Sequence, residues 1–154
     1  MSSEQKEKSP LFIWPVRVYY EDTDCGGVVY HTSYIRFMER ARSEQVISLG
    51  FGQAAWSNMQ IGFAVSALQI DYLQPAKLYD QLQVETQLLK IARASVVYEQ
   101  VIRQTREAQR VYCQATIKVV CVGVHDFKPC AIPHDLRTAL LSFNHREGEN
   151  KRGR

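Results

Sequence analysis

The sequence lacks the features of several large classes of protein. No apolar run approaches the ~18 residues that a membrane span needs. The four cysteines show no C-x-x-C spacing and no paired Cys and His clusters that would suggest zinc. The first ten residues, MSSEQKEKSP, have no apolar stretch of the kind that a secretory signal contains. These absences predict a cytoplasmic protein with reduced cysteines, no metal site and at most peripheral contact with a membrane.

Strong charge of either sign is also lacking. The chain has 19 Lys and Arg residues against 16 Asp and Glu residues, a net charge of +3. Residues 145–154 carry +2 of this total and residues 1–10 carry none, which leaves +1 on the remainder. Since a nucleic-acid-binding domain normally presents a basic face, the sequence predicts no nucleic-acid partner.

One globular domain accounts for the length and the composition. The chain has 154 residues, of which 45% are hydrophobic and 23% charged, as in an ordinary soluble domain with a sizeable core. Both ends are polar. We therefore predict a disordered N-terminus over residues 1–10, a folded domain over 11–144 and a basic flexible tail over 145–154.

Alternating apolar residues predict an antiparallel sheet. Runs with a period of two begin at Trp14 and recur over residues 61–72, 82–88, 95–104 and 110–122. The alternation in the second run shifts by one residue between Ala67 and Leu68, which predicts a β-bulge or a bend. Because the last four runs follow one another directly, we expect them to form a meander.

Residues 32–49 have a helical period instead. Apolar residues recur there at steps of three and four, and Thr32 or Ser33 is expected to cap the start of the helix and Gly50 its end. A short helical turn over 53–57 and a closing helix over 133–143 are also expected. The order of elements, one strand, one helix and four strands, predicts an α+β fold in which one long helix lies on a single face of the sheet.

The loop before the long helix is more polar than a simple connection needs to be. Residues 21–31 read EDTDCGGVVYH. Two adjacent glycines allow positive φ and the close approach of a ligand, and the helix start presents unpaired N–H groups. A phosphate, a carboxylate or a developing oxyanion would each suit this end. We expect Asp22 to accept hydrogen bonds from local backbone donors and Glu21 to be solvated.

The run VRVYYEDTDCGGVVYHTSYIRFMERAR over residues 16–42 resembles the signature of hotdog-fold acyl-CoA thioesterases of the 4-hydroxybenzoyl-CoA thioesterase type. Together with YLQPA at 72–76 and VVCV at 119–122, it is similar to the Tol-Pal-associated bacterial branch of that family. The resemblance covers residues 12–140 and implies a hotdog fold, an antiparallel sheet wrapped around one long central helix. It also implies an acyl-CoA substrate, no metal or redox cofactor, and a homotetramer of two dimers with active sites at subunit interfaces.

The resemblance assigns roles to residues of the loop and the helix. Asp24 matches the catalytic carboxylate, which acts either as a nucleophile on the thioester or as a general base on water. His31 and Tyr30 match the helix start, whose backbone N–H groups would hold the oxyanion, and the imidazole of His31 has either a direct role or a packing role. Other hotdog thioesterases place the catalytic acid on the helix, where Glu39 and Glu44 are the candidates in this chain. We expect these two residues to form exposed ion pairs with neighbouring arginines instead.

The turn between the third and fourth strands contains the candidates for binding coenzyme A. By resemblance Arg93 and Ser95, with Lys90 behind them, would contact its phosphates. The acyl chain is expected along Phe63 and Val65. The donor is coenzyme A or an acyl carrier protein. The alternative function is a noncatalytic acyl-thioester-binding or scaffold protein associated with envelope or lipid-synthesis machinery.

Overall fold

The computed structural model describes residues 10–150, with side chains described through residue 145. A 3₁₀ turn over Tyr20–Asp22 lies between the first strand and the first helix. The elements are β1 (Phe12–Arg17), α1 (His31–Ser48), α2 (Gln53–Met59), β2 (Ile61–Tyr72), β3 (Gln81–Ile91), β4 (Ser95–Gln104), β5 (Val111–Gly123) and α3 (His134–Asn150). The predicted α+β class is confirmed. The closing helix extends beyond its predicted end at residue 143. Of the predicted terminal segments 1–10 and 145–154, residues 1–9 and 151–154 lie outside the described residues.

The five strands of the described region form one antiparallel sheet in the order β1-β3-β4-β5-β2. Short turns join β3 to β4 and β4 to β5, but the predicted four-stranded meander is wrong. Strand β2 lies at the far edge beside β5, and residues 73–80 carry the chain back to β3. Alternation shows which face of a strand is buried and not which strand lies beside it, so the pattern did not contain this order.

Strand β2 contains the predicted bulge. Its register against β5 shifts between Val65 and Ala67, so Ser66 is the extra residue. Because of this insertion, Val65 and Leu68 face the same side of the sheet although three positions separate them. The inner face of β2 is therefore apolar along its whole length.

Helix α1 lies across the inner face of the sheet and packs mainly over β1 and β3. Its buried side chains include Tyr34, Phe37, Met38 and Ala41. The core side chains of the central strands alternate along them: Leu82, Val84, Leu88, Val96, Ile102, Cys113, Ala115, Ile117, Val119 and Cys121. The predicted long helix is confirmed, and Cys113 and Cys121 lie in the core.

The start of α1 differs from the expected capping, whereas its end agrees with it. Tyr30 is the N-cap residue, and no side chain caps the helix. Ser33 lies inside the first turn, where its hydroxyl donates to the Asp22 carbonyl at 3.1 Å, so the expected cap by Thr32 or Ser33 is wrong. At the other end Gly50 has a φ of 97°, in the left-handed region that a glycine accommodates.

Candidate active site

The loop between β1 and α1 closes on itself as a narrow turn. The Asp24 N–H donates to the Val28 carbonyl at 2.9 Å, and the Tyr30 N–H donates to the Asp22 carbonyl at 2.9 Å. Gly27 has a φ of 79°, which lets the chain reverse within the segment that the Asp24–Val28 hydrogen bond closes. The hydrogen-bonded pair Asp22 and Tyr30 lies directly before the helix. Asp24 is two residues, or about 7 Å of extended chain, away from this pair.

The two aspartates of this loop have different environments. Asp22 is 4% exposed, and its Oδ2 accepts a hydrogen bond from the Tyr19 N–H at 2.9 Å, as expected for a residue that satisfies the local backbone. Asp24 is exposed, and its Oδ1 accepts a hydrogen bond from the Gly26 N–H at 2.8 Å. Within residues 10–150 its Oδ2 has no partner. Asp24 is thus the aspartate of the pair that a ligand can reach.

The first turn of α1 presents free donors beside this loop. Among the described residues, no acceptor faces the N–H groups of His31 and Thr32, whereas the Ser33 N–H donates to the Tyr30 carbonyl at 2.8 Å. The Tyr30 N–H, an expected oxyanion donor, is already bonded to the Asp22 carbonyl, so the free donor beside His31 is Thr32. A helix start with free N–H groups carries partial positive charge. An oxyanion that formed there would find two backbone donors, close to the Asp24 carboxylate.

Tyr72 connects the end of β2 to the start of the helix, a contact that sequence reasoning missed. Its hydroxyl donates to the His31 carbonyl at 2.8 Å. Burial raises the pKa of Tyr72 above its ordinary value, so this hydroxyl keeps its proton at neutral pH. The His31 ring lies 4.5 Å from the Tyr30 ring and 6.3 Å from the Tyr72 ring. The YLQPA motif at residues 72–76 was the available signal.

A shallow depression of about 280 Å³ adjoins this contact. Its lining includes His31, Tyr72, Leu73, Gln74 and Pro75. It opens beside the free donors of the helix start. A thioester group therefore has room next to the N-terminus of α1.

The residues expected to bind coenzyme A lie at the opposite end of the sheet. Arg17, which leads into the Asp24 loop, pairs with Gln81 at the start of β3, whereas Arg93 follows the end of that strand. The eleven residues of β3 span about 33 Å. Lys90 and Arg93 are exposed. Within one chain the structure brings Asp24, Tyr30 and His31 together and leaves Lys90, Arg93 and Ser95 at the far end.

A larger cavity of about 500 Å³ lies between α1, α2 and the inner face of β2. Phe63 and Val65, the residues expected beside an acyl chain, line it together with Trp56, Ile61 and Leu140. Its first lining residue on α1 is Glu39, eight positions and about 12 Å beyond His31. The cavity is therefore separated from the free donors of the same chain.

Among the side chains that the structure describes, Glu39 and Glu44 do not form the expected ion pairs. Within the part of the chain that the structure describes, the ion pairs shorter than 4.0 Å join Arg103 to Glu85 and Arg110 to Glu107. Short ion pairs do not therefore explain these helix acids, although Glu39 attracts Arg42 electrostatically. Glu39 instead lies exposed at the rim of the larger cavity.

Two further features of the described residues bear on the kind of site. No group of three or more His, Cys, Asp or Glu side chains in this region is placed to hold a metal ion. None of the helices in residues 10–150 combines the length and the apolar character that crossing a membrane requires.

The chain is similar to known proteins over most of its length. The model of the thioesterase-like superfamily matches residues 18–140. Acyl-CoA thioesterase YbgC of Haemophilus influenzae is 44% identical over 131 residues, which are 84% of this chain and 93% of that protein. Acyl-CoA thioester hydrolase YbgC of Escherichia coli O6:H1 is 41% identical over 126 residues, which are 82% of this chain and 92% of that protein. A solved structure of a probable thioesterase from Bartonella henselae has a TM-score of 0.75 at 28% identity, and the match covers 80% of this chain and 100% of that one. The predicted hotdog fold is confirmed.

Proposed function

The chain belongs to the thioesterase-like superfamily and is an acyl-CoA thioesterase, and we propose that Asp24 and the start of α1 carry out the hydrolysis. One observation carries this proposal. The exposed Asp24 carboxylate lies on a closed loop beside a helix start whose His31 and Thr32 N–H groups have no acceptor within residues 10–150. Such a pair of features supplies a nucleophile or base and an oxyanion site together.

The thioester oxygen binds at the N–H groups of His31 and Thr32 and becomes the oxyanion there. Asp24 either attacks the carbonyl carbon and forms a mixed anhydride that water opens, or it removes a proton from the attacking water. In both routes the C–S bond breaks, one water molecule is consumed, and the sulfur leaves as the protonated thiol of coenzyme A. The imidazole of His31, which is exposed beside the ring of Tyr30, donates the proton to the departing sulfur.

A second copy of the chain completes the site. Edge strand β2 has 12 residues, no proline and Asp71 as its one charged residue, whereas β1 at the other edge contains Pro15. Val65 and Leu68, on the inner face of β2, are 55% and 39% exposed because α1 does not cover them. A long apolar edge strand is normally paired or covered. We infer that β2 pairs with β2 of a second subunit in an antiparallel arrangement.

This pairing reverses the direction of the second subunit. Its turn containing Arg93 and its larger cavity then approach the Asp24 loop of the first subunit, which reconciles the separation of about 33 Å within one chain. Lys90, Arg93 and Ser95 of the partner subunit bind the phosphates of coenzyme A. The partner's cavity takes the acyl group. Two such dimers form the proposed homotetramer.

The remaining parts of the proposal concern the setting of the reaction. The similarity of residues 16–42 to the Tol-Pal-associated branch supports a cytoplasmic enzyme that works with the envelope machinery, with at most peripheral membrane contact. An acyl carrier protein is a second donor besides coenzyme A. Both donors present the same thioester to the loop.

The test is hydrolysis by the full-length chain of acyl-CoAs of graded chain length and of the matching acyl carrier protein thioesters. Loss of thioester absorbance is the readout, because a thiol reagent also labels the exposed Cys25. We expect turnover of the CoA thioesters by the intact oligomer. Binding of every thioester without turnover would show the noncatalytic scaffold instead and would refute the proposal.

A further inference from the structure

Arg42 lines the larger cavity and is held there from two sides. Its Nη1 donates to Oε1 of Gln100 at 2.9 Å, and its guanidinium carbon lies 6.0 Å from the centre of the Tyr98 ring. Sequence reasoning missed this contact, because 58 positions separate Arg42 from Gln100. The guanidinium has five N–H donors, and the hydrogen bond to Gln100 uses one of them.

Gln100 has no freedom to turn away from Arg42. The residue is 0% exposed, and its Nε2 donates to the Met38 carbonyl and to Oγ1 of Thr86, each at 2.9 Å. Since both amide protons are occupied, the amide oxygen must face Arg42. The arginine is therefore a fixed feature of the cavity wall.

Arg42 forms no ion pair shorter than 4.0 Å with an acid in the described region. The two ion pairs found there do not include it, and the exposed Glu39 at the rim acts on it only from a distance. Burial lowers the pKa of Arg42 from its ordinary value, yet an arginine stays charged at neutral pH. A partly buried cation whose nearest acid is the exposed Glu39 is incompletely neutralised, and an anion that enters the cavity neutralises it further.

We propose that the larger cavity is the acyl subsite and that Arg42 binds a carboxylate at the far end of the acyl group. This inference rests on the proposed function. The preferred substrates are then CoA monothioesters of dicarboxylic acids. Their methylene chain packs against Trp56 and Phe63. A carboxylate matches the remaining guanidinium donors in a bidentate geometry, whereas a methyl end leaves the charge unpaired.

The test compares adipoyl-CoA with hexanoyl-CoA, which have the same six carbons and differ in their terminal carboxylate or methyl group. We expect kcat/KM to favour adipoyl-CoA by about tenfold or more, since a hydrogen bond to a charged group contributes that much. In Arg42→Met the ratio of the two kcat/KM values should fall towards one, and in Arg42→Lys part of it should remain. Arg40→Met is the matched control, because Arg40 is exposed on the same helix outside the cavity, and it should keep the wild-type ratio.

Binding of non-hydrolysable thioether analogues of the same two substrates, measured by calorimetry, separates this inference from the proposed function. Tighter binding of the carboxylated analogue that is lost in Arg42→Met supports the inference even if neither thioester is hydrolysed. Hydrolysis of both thioesters with equal kcat/KM, or a preference that survives Arg42→Met, overturns it. If Arg42→Met does not fold, the wild-type ratio and Arg42→Lys decide the outcome.

Discussion

Replacing Asp24 with asparagine removes one charge and leaves the loop hydrogen bond in place. The amide oxygen of asparagine can accept from the Gly26 N–H as the carboxylate Oδ1 does at 2.8 Å. The side chain is exposed, so the substitution buries nothing new. We therefore expect Asp24→Asn to lose less than about 1 kcal/mol of folding stability, a shift in Tm below about 4 °C for a chain of this length.

The effect on catalysis should be much larger. A positioned base or nucleophile contributes on the order of a hundredfold or more to the rate, equivalent to about 3 kcal/mol or more in the transition state. If Asp24 were only a turn residue, Asp24→Asn would leave the rate nearly unchanged, because asparagine suits the same turn. The two roles therefore differ in the rate, and the melting temperature shows that the variant is folded.

The assay is kcat and KM for acyl-CoA hydrolysis, followed by thioester absorbance, with thermal melting and oligomeric state recorded for each variant. Glu21→Gln is the matched control, because Glu21 is an exposed acid of the same loop, and it should retain at least about half of the wild-type rate. The reasoning is refuted if folded, oligomeric Asp24→Asn keeps more than about a tenth of wild-type activity. It is also refuted if Glu21→Gln loses as much as Asp24→Asn.

Three further predictions concern the core, the edge strand and the cysteines. Gln100→Leu removes the three hydrogen bonds of a buried amide and should lower the free energy of unfolding, measured in urea, by about 2–4 kcal/mol. The control Gln114→Leu, on the exposed face of β5, should change this free energy by less than about 0.5 kcal/mol, and equal losses in the two variants would contradict the role of the buried amide. Leu68→Asp places a charge on the uncovered face of β2, so it should dissociate the oligomer and reduce the activity in parallel. Analytical ultracentrifugation measures the dissociation, and a fully active monomer would contradict a site shared between subunits. Burial raises the pKa of Cys113 to about 12. At neutral pH a thiol reagent should therefore label the exposed Cys25 in the native protein and Cys113 only after unfolding, and rapid labelling of Cys113 in the native protein would contradict its burial.

Patterns that depend on neighbours along the chain predicted most of the local structure. The three- and four-residue steps over 32–49 indicated α1, and the shift in alternation near Ala67 indicated the bulge now seen at Ser66. Gly50 marked the end of the helix because a left-handed residue there favours glycine. The start of α1 was less predictable, since backbone geometry around Tyr30 begins the helix without a side-chain cap.

The acidic, glycine-containing loop and the candidate carboxylate were readable in the sequence because the residues that form them are adjacent. The position of β2 beside β5, the bond from Tyr72 to the His31 carbonyl and the fixing of Arg42 by Gln100 were not. Each of these joins segments about 40 or more residues apart, and no local preference encodes such a contact. These contacts depend on how α1 packs against the sheet. That packing determines which strand remains uncovered and which polar groups are buried next to one another.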